Sequence, residues 1–369
     1  MNEQELYDKT VKCIRCGFCL EACPTFRITG QETESPRGRI YLVRSAIEGE
    51  LNWKDTVKHL DRCLGCRACE TACPSGVEYG DILEMAREKL EPQRPFIERT
   101  ARTVLLNTVT KHPKLLAKLP FKKAPKLFSK GKAQQAELPR PESEATFPTV
   151  PTTKGTVNLL MGCVMDALYH PTNEAARYLI ERQGYSVNKI TQCCGALQKH
   201  SGKKVDQQQF KNFDGPIITT SAGCGSSLKD AGINAKDIAE FLYETDFQPP
   251  QNGQPITIAY QDACHLRHGQ GIKDQPRQLL DRLPGVTRRE IDDTCCGSAG
   301  IYNITQPEMA RILLDQKWRA IEAAGVQTVV TGNPGCLAWI SQAARENNSP
   351  IRVVHTARFI AERCHNKQA

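Results

Sequence analysis

The sequence predicts an α+β protein: a helical N-terminal region followed by a duplicated α/β region whose strands run parallel. Three observations carry that prediction. Two copies of C-x-x-C-x-x-C-x-x-x-C-P stand at Cys13-Cys16-Cys19-Cys23-Pro24 and Cys63-Cys66-Cys69-Cys73-Pro74. Beyond residue 151, three blocks of sequence recur at an offset of about one hundred residues. Within that repeat, short apolar runs alternate with longer helical stretches, the order of a sheet built through crossover helices.

Three thiolates within one tight loop can wrap three corners of an iron-sulfur cube. The fourth cysteine, just beyond the loop, points to the other cube, which is the two-cluster ferredoxin pattern. Cys13, Cys16, Cys19 and Cys73 are therefore expected to hold one 4Fe-4S cluster, and Cys63, Cys66, Cys69 and Cys23 the second. Pro24 and Pro74 stiffen the chain just past each remote ligand. Structural zinc usually takes separated C-x-x-C pairs that close one tetrahedron. Triplets plus one, twice over, favour clusters and hence electron transfer.

The chain has 369 residues, room for two or three domains. Residues 1–92 read as the helical ferredoxin-like domain, with helices expected over Pro36 to Glu48, Asn52 to Asp61 (Asn52 as N-cap) and Asp81 to Leu90. Pro92 and Pro95 close that region. Residues 93–151 turn basic and then proline-rich and polar, and read as a linker.

Lys111, Lys114, Lys118, Lys122, Lys123, Lys126, Lys130 and Lys132 fall in one stretch without an acid, and removing them takes the formal net charge of +8 to zero. Proline-interrupted basic stretches are common connectors. The alternative is contact with anionic lipid headgroups or an acidic partner, because Leu115, Leu116, Leu119, Phe121, Leu127 and Phe128 are interspersed. No nucleic-acid-binding motif accompanies the charge. No run of about eighteen apolar residues occurs, so no span is expected. The N-terminus shows neither basic flank nor apolar run, and the 17 cysteines read as reduced thiolates in a cytoplasm.

The repeat divides the remainder into halves at 152–250 and 251–369. Thr156 to Cys163 answers Ile256 to Cys264, Cys193-Cys194-Gly195 answers Cys295-Cys296-Gly297, and Pro216 to Cys224 answers Val326 to Cys336, so each half reads as strand, cysteine, helix, strand, Cys-Cys-Gly, helix, strand, cysteine, helix. Helices are expected over Thr172 to Gln183 and Pro307 to Ala324. Chemistry in parallel sheets gathers where loops leave the carboxyl ends of strands, so Cys163, Cys193, Cys194 and Cys224, with Cys264, Cys295, Cys296 and Cys336, are expected to converge. Packing is the competing explanation, since free cysteine is often buried. Cys364 stands apart and is expected to carry no ligand. His265 and His268 could serve a redox site or satisfy a helix start, and His200 and Tyr302 are unassigned. Arg37 and Arg39 could moderate cluster charge or form surface salt bridges.

These blocks resemble the iron-sulfur oxidoreductases with duplicated Cys-Cys-Gly domains, a family of heterodisulfide reductase subunits and electron-transfer subunits of flavin-linked dehydrogenases. Ser35 to Ile40, His59 to Cys63, Cys193 to Leu197 and Cys295 to Ile301 are most similar to its glycolate oxidase branch. The resemblance implies an electron-transfer subunit of a complex that oxidises glycolate to glyoxylate. It implies FAD on a partner dehydrogenase subunit, one or more further clusters on the eight Cys-Cys-Gly-region cysteines, and a membrane acceptor such as quinone. Its place would be the cytoplasm or the cytoplasmic face of the inner membrane. The absence of G-x-G-x-x-G fits a flavin held elsewhere. In the heterodisulfide reductase type a fifth cysteine stands three residues before the last; here those positions are Ser221 and Asn333. The alternatives are a thiol-disulfide oxidoreductase of that type, or a subunit for lactate or glycerol 3-phosphate.

Overall fold

The computed structural model describes residues 3–112, 137 and 139–365. At the N-terminus, helices Glu3–Val11, Pro36–Ile47, Trp53–Asp61 and Tyr79–Leu90 enclose a core of Leu6, Val43, Leu60, Ile82 and Leu90. Local sequence sets their starts. The Ser35 hydroxyl accepts from the Gly38 N–H at 2.9 Å with Pro36 in the first turn, and Asn52 accepts from the Lys54 N–H at 2.9 Å.

The stretch read as a linker from residue 93 opens with a helix, Phe96–Lys111. Pro95 ends one helix but equally starts another, because its missing N–H costs nothing at an N-terminus. Arg94, 1% exposed, anchors the corner through Asp61, Glu91 and Glu98. The helix is fastened to the first half by bonds from Gln198 to Thr110 and Lys203 to Thr103. Of the basic stretch, Lys114 to Lys132 lie outside the described residues. The proline-rich part is strapped down rather than free: Phe147 stacks on Tyr178 at 5.6 Å, Glu142 accepts from Thr172, and Arg358 donates to the Ser143 carbonyl.

Each half is a four-stranded, all-parallel sheet. Strands β1 (Thr156–Leu160), β2 (Ser186–Ile190), β3 (Ile217–Thr219) and β4 (Ala235–Asp237) lie in the order β2-β1-β3-β4. Strands β5 (Ile256–Gln261), β6 (Val286–Arg289), β7 (Thr328–Thr331) and β8 (Arg352–His355) repeat it as β6-β5-β7-β8. Sequence reading finds three strands per half and misses β4 and β8, which are short edge strands carrying Lys236 and Arg352.

The halves share one core, in which Leu159 and Ile218 meet Ile258 and Val330. Helix His170–Arg182 packs on Thr356–His365, and Ile238–Glu244 on Asp274–Asp281, reciprocal contacts that relate the halves by an approximate two-fold axis. Cys364 is buried in this shared core.

Candidate metal centres

The two cysteine loops turn through left-handed residues, Arg15 and Gly17 in the first and Gly65 and Arg67 in the second, which brings successive thiols to one side. A cavity of about 30 Å³ is lined by Cys13, Cys16, Cys19 and Cys73, and also by Cys69. A second, of about 20 Å³, is lined by Cys23, Cys63, Cys66 and Cys69. Each thus gathers three thiols of one loop and the remote thiol of the other. Among the described residues, no three His, Cys, Asp or Glu side chains converge tightly enough to hold a single metal ion; the thiols line cavity walls instead.

Electrostatics fits a cationic guest. Burial, reinforced by neighbouring thiols, pushes Cys66 and Cys69 well above the usual thiol range. Such thiols ionise when positive charge sits among them. Donors are already aimed at sulfur: Gly65 N–H to Cys63 (3.4 Å), Val77 N–H to Cys73 (3.5 Å) and the Tyr79 hydroxyl to Cys63 (3.5 Å). Nothing in the sequence marks Tyr79.

The two arginines between the loops differ. Arg37 makes a partly exposed pair with Glu32 at 2.7 Å. Arg39 is 1% exposed and donates to Glu34 (2.8 Å), the His59 carbonyl (2.7 Å) and Thr25 (3.1 Å), so the surface salt bridge reading does not hold for it. Burial alone would lower its pKa, but Cys63, Tyr79, Cys23 and Glu34 together raise it, and it stays a cation.

A cavity of about 270 Å³ lies where the N-terminal unit meets both halves. All eight remaining cysteines of the repeat line it: Cys163, Cys193, Cys194 and Cys224 from the first half, Cys264, Cys295, Cys296 and Cys336 from the second; Cys63 lines it too. Cys163 follows β1 and Cys264 follows β5. The Cys-Cys pairs follow β2 and β6, and Cys224 and Cys336 begin the helices after β3 and β7. The Cys163 and Cys193 sulfurs lie 3.6 Å apart, and those of Cys194 and Cys224 3.0 Å. Gly195 and Gly297 N–H groups point at Cys193 and Cys295, each at 3.4 Å. Gly297 has φ +88, and a Cβ there would lie 2.7 Å from the Ala310 carbonyl oxygen, which is why glycine follows the pair.

Residues 9–77 match the family described as 4Fe-4S dicluster domain, and residues 157–229 and 258–341 match the cysteine-rich domain. The chain is 33% identical to the probable glycolate oxidase iron-sulfur subunit of Bacillus subtilis, over 100% of this chain and 96% of that protein. It is also 33% identical to the glycolate oxidase iron-sulfur subunit of Escherichia coli, over 90% of each. The chain belongs to the glycolate oxidase iron-sulfur subunit family. A lactate utilization protein A from Oceanobacillus iheyensis is 25% identical over 55% of this chain. A hypothetical protein from Helicobacter pylori shares the fold, with a TM-score of 0.56 at 9% identity, covering 100% of this chain and 78% of its own.

This member of the glycolate oxidase iron-sulfur subunit family is an electron-transfer protein, and its departures from the five-cysteine pattern have a structural role. Ser221 and Asn333 meet across the approximate two-fold axis, hydroxyl to amide oxygen at 3.4 Å, and the Gly223 N–H reaches the same Asn333 oxygen at 3.4 Å. The Ala222 N–H bonds the Gly332 carbonyl beside them at 3.1 Å. These positions hold the halves together.

The histidines gather where the N-terminal unit docks. His200 and His265 stack with ring centroids 4.9 Å apart, and Glu84 lies 2.7 Å from His200 Nδ1. Burial, with the nearby charge of His200, holds His265 uncharged down to about pH 3. Thr71 and His268 Nδ1 are 2.9 Å apart, and the Tyr302 hydroxyl donates to the Arg62 carbonyl at 2.8 Å. These contacts join the domains. Glu84 has no signal in the sequence.

Proposed function

We propose that this chain is the electron-relay subunit of a flavin-linked glycolate dehydrogenase. In this reading a partner subunit carrying FAD oxidises glycolate to glyoxylate, releasing two electrons and two protons, and a membrane quinone takes the electrons up. The observation that carries the proposal is continuity: Cys69 lines both small cavities, and Cys63 lines both the second small cavity and the large one. Three thiol-lined spaces follow one another from the exposed Cys16 to the interdomain cavity.

Cys13, Cys16, Cys19 and Cys73 hold one 4Fe-4S cluster in this reading, and Cys23, Cys63, Cys66 and Cys69 the second. The four cysteines of each Cys-Cys-Gly half are available to at least one more. When bound, these clusters supply one-electron transfer between two-electron flavin chemistry and the acceptor. The chain's own part is to anchor them by thiolate, to donate hydrogen bonds to sulfur from Tyr79 and the loop amides, and to keep Arg39 charged beside Cys23. Burial of Cys23, Cys63 and Cys69 shields the second thiol set from water. The domains would divide at 1–92, 152–250 and 251–369, with the basic, proline-rich stretch 93–151 connecting the first two. No helix among the described residues is long and apolar enough to cross a membrane.

One observation favours a second reading, a thiol-disulfide oxidoreductase: the 3.0 Å approach of the Cys194 and Cys224 sulfurs. Serine and asparagine at 221 and 333 count against it. Two measurements separate the readings. The chain should co-purify with a flavoprotein that reduces dyes with glycolate, and the chemically reduced chain alone should not turn over an aromatic disulfide. Strong turnover with either lactate enantiomer and none with glycolate overturns the substrate assignment, and disulfide turnover by the isolated chain overturns the relay.

A further inference from the structure

Eight large apolar side chains stand out into solvent among the described residues, and four of them surround the first cysteine loop: Val11, Ile14, Phe18 and Tyr41. Ile14 and Phe18, 68% and 69% exposed, lie within the loop on either side of the exposed Cys16. Arg15 lies over the Tyr41 ring, 4.7 Å from its centroid, and Glu48, whose carboxylate feels its charge, is bonded instead by Arg44 at 2.9 Å.

The second loop shows what such a surface does. Fifty residues on, Leu64 occupies the position of Ile14, yet it is 5% exposed and packs into a core with Ala222 and Leu266 of the C-terminal halves. Its cation, Arg67, reaches across to Asp230 at 2.8 Å. Loop two thus docks on the protein's own halves through an apolar side chain and an arginine-aspartate pair. Loop one also carries apolar side chains and an arginine, with Arg15 at the position of Gly65 rather than of Arg67, and no described residue covers Ile14 or Phe18 in the way the halves cover Leu64.

From this internal comparison we propose that the surface of the first loop docks the electron-donating flavoprotein, with Ile14 and Phe18 entering an apolar patch on that partner and Arg15 meeting a carboxylate at its rim. The inference rests on the relay reading above and adds a direction: electrons enter at Cys13 to Cys19 and leave by way of the large cavity. An aromatic and an arginine suit the centre of a protein interface, and the charge of Arg15 would help set the rate of association.

The test uses the full, cluster-loaded chain and the flavoprotein that co-purifies with it, photoreduced anaerobically and mixed rapidly with oxidised chain. The Ile14→Ser, Phe18→Ser double variant should lower the second-order rate of cluster bleaching about tenfold or more. Arg15→Glu should lower it too, and should remove the fall in rate with added salt that the unaltered chain shows. Both variants should keep full iron content and full bleaching by dithionite, which separates lost docking from lost clusters. Phe96→Ser, Ile97→Ser, on the other exposed apolar patch, should leave the rate unchanged. Wild-type rates in both loop variants, or loss confined to the Phe96 and Ile97 variant, overturn the docking face and leave the relay standing. A wild-type chain that takes no electrons from the flavoprotein overturns the relay and the docking face with it.

Discussion

Replacing Arg39 by methionine removes a buried positive charge beside the second thiol set, and the size of the effect can be worked from contacts. Arg39 donates to Thr25 Oγ1 at 3.1 Å, and that oxygen lies 3.3 Å from Cys23 Sγ, so the guanidinium is at most about 6.4 Å from the sulfur. At an effective dielectric of about 20, unit charges at that distance interact by about 2.5 kcal/mol. For a one-electron couple this corresponds to about 100 mV for charge placed on that sulfur, reduced as the added charge spreads over the whole cluster. An EPR-monitored redox titration of the loaded protein should therefore show one centre, and only one, lowered by several tens of millivolts up to about 100 mV. The same substitution removes one of three ionic partners of the fully buried Glu34, leaving Arg62 and His59, and should cost less than the roughly 3–5 kcal/mol of a fully uncompensated buried charge. Adding Glu34→Gln removes the excess negative charge and should recover part of both losses. A centre that does not move, or moves upward, in Arg39→Met would refute the reasoning.

Iron analysis of anaerobically prepared protein should exceed about eight irons per chain, and Cys264→Ser, Cys296→Ser should lose the excess; about eight in both proteins would show that the large cavity holds no cluster. Gly297→Ala should cost about 3 kcal/mol in urea unfolding, because the backbone is left-handed and the new Cβ meets the Ala310 carbonyl. Gly215→Ala, at φ +75 with nothing within 4 Å, should cost only about 1 kcal/mol, and equal costs would rule out the steric argument. Burial depresses His355 from 6.5 to about 4, so as pH falls the unfolded chain takes up its proton first. Stability from this group is complete above about pH 6.5 and is lost on descending toward pH 4, by up to about 3 kcal/mol. His355→Asn keeps an acceptor for the Ala357 N–H without titrating, and should flatten that part of the unfolding profile between pH 7 and pH 4.5; an unchanged slope would assign it to other groups.

Much of the fold was legible where the code is local. Ser35 and Asn52 start helices through their own side chains, and the helices at 36–47 and 53–61 lie where these caps put them. The helix at 96–111 was not legible, since its hold on the molecule is Arg94 to Asp61 and Gln198 to Thr110, contacts between residues far apart in sequence. Edge strands β4 and β8 escaped for a related reason: pairing on one side defines them, and that pairing lies in β3 and β7. Arg39 looked like its neighbour Arg37 in sequence. Only the packing of the helices around it makes one a buried cation and the other a surface pair.

The sequence by itself determined the kind of chemistry. Spacing along a chain is covalent, so three thiols in one loop, a remote fourth, and a Cys-Cys-Gly unit repeated about one hundred residues on are fixed before folding. Which thiols share a space is a matter of distance, and tertiary structure decided it. It brought Cys73 to the first loop and Cys23 to the second, turned eight cysteines of two sheets toward one cavity, and put Ser221 against Asn333 on the axis between the halves. It also left Ile14 and Phe18 exposed where Leu64 is covered. That difference arises from the docking of the C-terminal halves, which reaches Leu64 and stops short of Ile14.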